Sequence, residues 1–327
     1  MEHHNVAIVG AGPAGITAAI QLKRSGITPL LFERREPGGL LLNANLVENY
    51  PGFPDGVDGI ELVRAMILHL ERVGMTITRS EVRSVRHGRE TFLLETARGV
   101  ITARSVIVAT GTRGIVPDNI SIPPSLFGKR IFCELRDCPA GVGNRIAIIG
   151  GGDCAFDYAL NLAGRGCRVM ILHRGSRPGA LSLLVDRAEE HPLIEYTSNV
   201  IVKHIEGDDS EICLHLDGGW ERALEADFIL LAVGRVPEDS ILSAELRDTI
   251  GREGGVERLY LAGDVHRGFM RQVGIAVGDG LTAAMDVSRR WKEKGEAGLS
   301  DKRFFIGEEV PGPVMGGSED RVEKRNP

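Results

Sequence analysis

The chain has 327 residues, 43% of them hydrophobic and 26% charged, with 42 glycines, which is material for two domains of ordinary size. A net charge of −6 and a pI near 5.9, with no long block of Lys or Arg, exclude a phosphate-tracking surface, so nucleic acid is not an expected partner. No apolar run approaches the roughly 20 residues needed to cross a bilayer, and five cysteines, an odd number, do not read as a secreted disulfide framework.

"MEHHNVAIVG" enters a strand pattern at once and leaves no room for a signal peptide, so a soluble, cytoplasmic protein is expected. His3 and His4 read as an unstructured lead-in. The segment "NVAIVGAGPAGITAAIQLKRSGITPLLFE" then has the order strand, glycine turn, amphipathic helix and second strand ending in an acid. Gly10 permits the tight turn, Gly12 lets the backbone approach a pyrophosphate at the positive helix end, and Gly15 allows close helix–strand packing. Glu33 can accept from ribose hydroxyls. A lone Gly-x-Gly-x-x-Gly is compatible with a purely structural turn; the complete βαβ unit is what points to a dinucleotide.

A second copy, "RIAIIGGGDCAFDYALNLAGRGCRVMILHR", follows about one domain length later, with Gly150, Gly152 and Ala155 in the fingerprint positions and Asp153 beside them. Its second strand ends in His173 and Arg174, followed by Arg177. Cations at this place suit a 2′-phosphate and favour NADP over NAD, although solvated loop arginines would look the same. Each copy is followed by a matched buried strand leaving through a glycine turn: "SVIVATGTRG", containing Ala109, Thr110 and Gly111, and "FILLAVGRVP", containing Gly234. This repetition predicts an α/β protein of two Rossmann-like three-layer dinucleotide-binding domains.

This order of pieces resembles the two-dinucleotide-binding-domain flavoproteins, and more narrowly the low-molecular-weight thioredoxin reductases. The narrower likeness rests on "EPGGLLLNANLVENYPGFPDGVDGIELV" and "LYLAGDVHRGFMRQVGIAVGDGLTAAMD". It implies that FAD binds the first domain through Gly10, Gly12, Pro13, Ala14, Gly15, Glu33 and Arg34. Gly38, Gly39, Leu40 and Asn49 would lie along the flavin side. Gly263 and Asp264 would meet the ribityl chain, and Arg271, Gln272 and Val273 the isoalloxazine ring, where amide donors favour the reduced flavin. Without the family, Asp264 is also compatible with a turn former and Arg271 with a surface cation. The resemblance also implies a split FAD domain (1–114 and 238–293) with an NAD(P)-type domain (115–237) inserted, and a homodimer. The tail, 294–327, is polar and Gly- and Pro-rich and is expected to be mobile; Phe304 and Phe305 are its aromatic pair.

That family carries Cys-x-x-Cys-Asp shortly before its second glycine turn, at a helix start that favours thiolate formation. Here "RIFCELRDCPAG" places Cys133 on the first cysteine, Arg136 on the second and Asp137 on the aspartate, with Cys138 one position later. Cys133 and Cys138 could still pair, with Asp137 as proton shuttle, if the first helical turn is irregular; Pro139 favours that. The alternative is two reduced thiols and a lost relay. Cys154, Cys167 and Cys213 read as core fillers, and no Cys/His spacing resembles a zinc site, so no metal is expected. The arginine motif for NADPH is also eroded, with Gly175 and Gly179 at two of its positions. Donors such as ferredoxin or a reduced deazaflavin therefore stay open beside NAD(P)H.

The leading reading is an FAD-dependent oxidoreductase linking a soluble donor to an unidentified acceptor, a small molecule or a small redox protein. The alternatives are a thioredoxin or small-disulfide reductase using Cys133 and Cys138, and a non-catalytic flavin-binding module.

Overall fold

The computed structural model describes residues 2–208, 211–217 and 223–293; Phe304, Phe305 and the rest of the tail lie outside them. The first unit begins with β1 (Glu2–Val9), α1 (Pro13–Arg24) and β2 (Leu30–Glu33). The 3₁₀ turn Gly39–Asn43 and a small ribbon of β3 (Leu46–Val47) and β4 (Val57–Asp58) lead to α2 (Gly59–Arg72) and β5 (Ile77–Arg79). A meander of β6 (Val82–His87) and β7 (Phe92–Thr96) then feeds the ten-residue strand β8 (Gly99–Val108). Strands β5, β2, β1 and β8 pair in that order, all parallel, with β7 and β6 antiparallel beyond β8.

His3 and His4 belong to β1 and are not a loose lead-in. β8 is long enough to pair with them a hundred residues on, at His3↔Thr102 and His4↔Ala103, and His3 Nδ1 lies 2.6 Å from Thr102 Oγ1. A neighbouring strand supplies the hydrogen-bond partners that the polar sequence alone does not suggest.

β9 (Thr112–Gly114) leads out of this sheet into the second unit. There β10 (Ile131–Phe132), β11 (Arg145–Ile149), α3 (Asp153–Gly164), β12 (Arg168–Leu172), α4 (Ser182–Glu189) and β13 (Ile194–Thr197) precede a three-stranded meander. The meander comprises β14 (Ile201–Gly207), β15 (Ile212–Asp217) and β16 (Leu224–Ala226), and β17 (Phe228–Leu231) returns to the sheet. The five-stranded order is β10-β17-β11-β12-β13, all parallel. β18 (Arg235–Pro237) carries the chain back by pairing antiparallel with β9, so both crossings run through one ribbon. α5 (Ala244–Glu253), β19 (Leu259–Leu261) and α6 (Val273–Glu293) complete the first unit, with β19 parallel to β8. Among the described residues no helix is long and apolar enough to cross a membrane.

The central strands read as near-continuous apolar runs because both faces are covered. Ile8, Ile16, Leu22, Ile107 and Ala284 share one core, and Ile148, Phe156, Leu162, Ile171 and Leu230 the other. Helix α6 lies so close to α1 that a Cβ at Gly280 would stand 2.1 Å from the Ala14 carbonyl oxygen. Gly280→Ala therefore overpacks this contact and should cost about 1–3 kcal/mol. Gly278→Ala, on the same helix with open space around its Cβ, should leave stability unchanged or raise it by about 0.5–1 kcal/mol. Thermal unfolding of the two variants side by side checks the difference.

Candidate functional site

At the carboxyl end of β1 the chain turns at Gly10, whose φ is +106° and whose Cβ would meet the Ala109 carbonyl oxygen at 2.3 Å. Only glycine fits such a conformation and approach. Helix α1 starts after Gly12 with no side-chain cap, leaving first-turn N–H groups free for an anion. The Gly38 N–H donates to the Ala11 carbonyl at 2.8 Å, and Gly39 passes so near that its Cβ would lie 3.3 Å from Gly12 Cα. The result is a floor of bare backbone along the helix end.

Beside it opens a cleft lined by Gly10, Phe32, Glu33, Arg34, Ser80, Thr110 and Glu238, among others. Glu33 is held by the N–H groups of Ala11 at 2.8 Å and Arg35 at 2.9 Å, and each carboxylate oxygen keeps a lone pair. The Ser80 hydroxyl is buried without a hydrogen-bond partner among the described residues. A buried orphan hydroxyl in a cleft is what a bound nucleoside would satisfy, so the cleft fits the adenosine of FAD. Neither Ser80 nor Glu238 stands in a sequence motif. Ser80 directly follows β5, and ligands of parallel sheets sit beyond the carboxyl ends of strands, the one signal that could have found it.

At the other end, Gly263 lies so close to α1 that an added Cβ would stand 3.1 Å from the Ala14 Cβ, and its N–H donates to Asp279 at 3.1 Å. Asp279 is also paired with the Arg267 guanidinium. Asp264 is half-buried; burial pushes its carboxyl up, and Arg271 and Arg235 oppose that. Arg271 donates to the Arg235 carbonyl at 3.2 Å while its Nε is buried and unpartnered among the described residues, and the Asn49 amide donates to Gln272 at 2.7 Å. Leu40 lies in the 3₁₀ turn after Gly39, Gly111 accepts from the Glu238 N–H, and Val273 packs on the cluster of Leu41 and Val63.

A polar network joins the two units across this end. Glu134 and Arg235 are paired at 2.6 Å with side chains only 15% and 14% exposed. Arg235 also donates to Thr112, and the Asn43 amide donates to Glu134 at 2.6 Å. Asn43 in turn accepts from the Arg136 N–H at 2.9 Å. The Arg136 guanidinium reaches the Gly39 carbonyl at 3.5 Å, and its Nε is buried with no partner among the described residues. None of Asn43, Glu134 and Arg235 carried a sequence signal, since their partners lie about a hundred positions away.

The second unit repeats the first turn. Gly150 has φ +150° and a Cβ position 2.3 Å from the Ala232 carbonyl oxygen, and α3 starts after Gly152 without a side-chain cap. Ala155 N–H donates to Gly152, the Asp153 carboxylate accepts from the Leu181 N–H at 2.8 Å, and Gly234 (φ +125°) passes Ile115. His173 lies against Gly151 and 3.0 Å from the Tyr196 hydroxyl. Burial and Arg174 hold it below the usual imidazole range, so it packs the loop instead of offering charge. Arg174 and Arg177 are exposed.

Residues 4–280 match the family model for pyridine nucleotide-disulphide oxidoreductases. The chain belongs to this family. Within it, the thioredoxin reductase of Bacillus subtilis (strain 168) is 30% identical over 305 residues, covering 89% of this chain and 95% of that one. The solved thioredoxin reductases of T. acidophilum and Lactococcus lactis superpose with TM-scores of 0.78 and 0.77 at 29% and 27% identity, each covering 89% of this chain and 99% of the other. The protein is thus a thioredoxin reductase-like flavin oxidoreductase with two Rossmann-like domains, and its cofactors are FAD and a nicotinamide dinucleotide.

In this oxidoreductase the expected helix start at Cys133 is a single 3₁₀ turn, Leu135–Asp137, after which Cys138 is extended. Cys138 sits in the core of the second unit with Phe132, Leu135 and Cys167, and burial pushes its thiol up to about 11. Cys133 packs in a different cluster, against Gly114, where an added Cβ would lie 2.6 Å from its own. All five cysteines are free, Cys133 and Cys138 among them. Asp137, expected as a shuttle, is held by the Arg35 guanidinium. Cys167 is a core filler as expected; Cys154 is half-buried beside Tyr158, and Cys213 is half-buried on β15.

Asp157 of α3 reaches across to the first unit and accepts the Asn45 N–H at 3.0 Å. Burial raises its carboxyl from 3.8 to about 6. The folded chain therefore binds a proton that the unfolded chain has lost, and stability falls as pH rises from about 4 to about 6. Asp157→Asn keeps an acceptor and removes the charge, so its thermal midpoint should lose this decline and exceed the parent's at pH 7, by up to about 3 kcal/mol in stability. Unfolding at pH 4.5 and 7.5 measures both.

Proposed function

We propose that this flavoenzyme takes electrons from NADPH and delivers them to an acceptor at the flavin crevice directly, without a Cys133–Cys138 dithiol. The observation that carries the reading is Arg136: it occupies the second cysteine's place, lies on the Gly39 turn and keeps a buried, unpartnered Nε among the described residues, while Cys138 is sequestered in a core. A guanidinium nitrogen buried without a partner is costly unless a ligand completes it.

FAD, when bound, supplies hydride acceptance and release. The chain's part is to hold it: Gly10, Gly12, Pro13, Ala14 and Gly15 at the pyrophosphate, Glu33 and Ser80 at the adenosine, Asp264 at the ribityl hydroxyls, and Arg271 and Gln272 at the ring. The segments 1–114 and 238–293 form this FAD domain, and 115–237 the nicotinamide domain, where Gly150, Gly152 and the start of α3 hold the pyrophosphate. Arg174 and Arg177, both exposed, meet the 2′-phosphate; Arg174→Gln with Arg177→Gln should weaken NADPH about 10- to 100-fold and leave NADH unchanged. Equal affinities in parent and double variant would remove NADPH selection from these arginines. Equilibrium titration of both nucleotides on the FAD-loaded protein decides it. The setting proposed for it is a cytoplasmic homodimer.

The names of the relatives favour a second reading, reduction of a thioredoxin or another small disulfide. Cys133→Ser and Cys138→Ser separate the two. NADPH-dependent turnover with thioredoxin that disappears in both variants supports the second reading; no thioredoxin turnover in the parent, with ferricyanide turnover at the flavin that persists in both variants, supports the first.

A further inference from the structure

The sequence shows no metal-type spacing of Cys and His, yet the meander of the second unit assembles one. β14 and β15 pair antiparallel, with His204 directly opposite His215 and Glu206 opposite Cys213. A register shift between Val202 and His204 changes which residues face inward: Val202 and Ile205 are both buried, as are Ile212 and Leu214. A regular strand would alternate, and 202 and 205 could not share a face. The bulge thus turns His204 and Glu206 outward on one side, level with His215.

On that outward side the two imidazoles converge on one carboxylate. His215 Nε2 is 2.8 Å from Glu206 Oε1 and His204 Nε2 is 3.5 Å from Glu206 Oε2, and the two rings lie 5.3 Å apart, tilted by 38°. One donor atom from each residue lies within 4.8 Å of the others. Ligands about 2.0–2.2 Å from a common ion are about 3.0–3.5 Å from one another, so small rotamer movements close the set.

We propose that His204, Glu206 and His215 bind one divalent transition-metal ion at the outer face of the β14–β15 hairpin. Two imidazoles and one carboxylate select Zn²⁺, Ni²⁺ or Cu²⁺ over Mg²⁺ or Ca²⁺, and three protein ligands leave the remaining positions to water or to a donor from a partner. The ion replaces the His215–Glu206 hydrogen bond as the tie across the hairpin and stabilises the folded state by mass action.

The test is isothermal titration of the FAD-loaded, metal-stripped protein with Zn²⁺ alone, and separately with Mg²⁺. One Zn²⁺ per chain is expected, with binding weakened about tenfold or more in each of His204→Ala, His215→Ala and Glu206→Gln. Cys213→Ser and His191→Ala should bind as the parent does. The flavin spectrum and far-ultraviolet dichroism of each variant report folding independently. Zn²⁺ binding that survives both histidine substitutions, or that is no tighter than Mg²⁺ binding, overturns the proposal.

Discussion

The ion pair between Glu134 and Arg235 holds the working end of this molecule together. Arg235 stands on the ribbon through which the chain crosses between its two units, and Glu134 belongs to the segment that carries Cys133, Arg136 and Cys138. Both side chains are largely buried, so removing either leaves the other as an uncompensated charge, at a cost of about 3–5 kcal/mol. Their remaining hydrogen bonds go to Thr112 and Asn43, and Asn43 in turn fixes the backbone of Arg136. One pair therefore aligns the crossing, the Gly39–Asn43 turn and the backbone of Arg136.

That alignment changes what the crevice can do. Relatives of this type are named for disulfide chemistry, which needs two thiols in reach of each other and of the flavin. Here the backbone around Leu135–Asp137 makes one tight turn and then extends, so Cys138 enters the core of the second unit while Arg136 turns to Gly39. Asp137 is paired with the Arg35 guanidinium. On the function proposed above, the Arg136 guanidinium favours acceptors that carry negative charge or develop it on reduction.

The parts legible from sequence are those whose physics is local. Gly10 and Gly150 announce themselves because each must pass within contact distance of a later strand's carbonyl, Ala109 or Ala232, in a conformation only glycine accepts. What the sequence hides is pairing at a distance. The polar stretch at His3 and His4 is strand because β8 runs alongside it. Ser80 lines the cleft beside Gly10 and Glu33 because β5 ends there, and His204 meets His215 because a bulge shifts the face of β14. For Cys133 and Cys138 the sequence leaves both a pair formed through an irregular turn and two separate thiols open, and in the fold they pack in different clusters.

If electrons leave the flavin without a dithiol intermediary, the flavin is the only store of reducing equivalents in each subunit. Anaerobic titration of the FAD-loaded protein with dithionite, followed by flavin absorbance and by thiol counting, measures that store. Two electrons per subunit should complete the reduction, with no thiols gained beyond the five free ones. Uptake of four electrons per subunit, with two new thiols appearing, would contradict it.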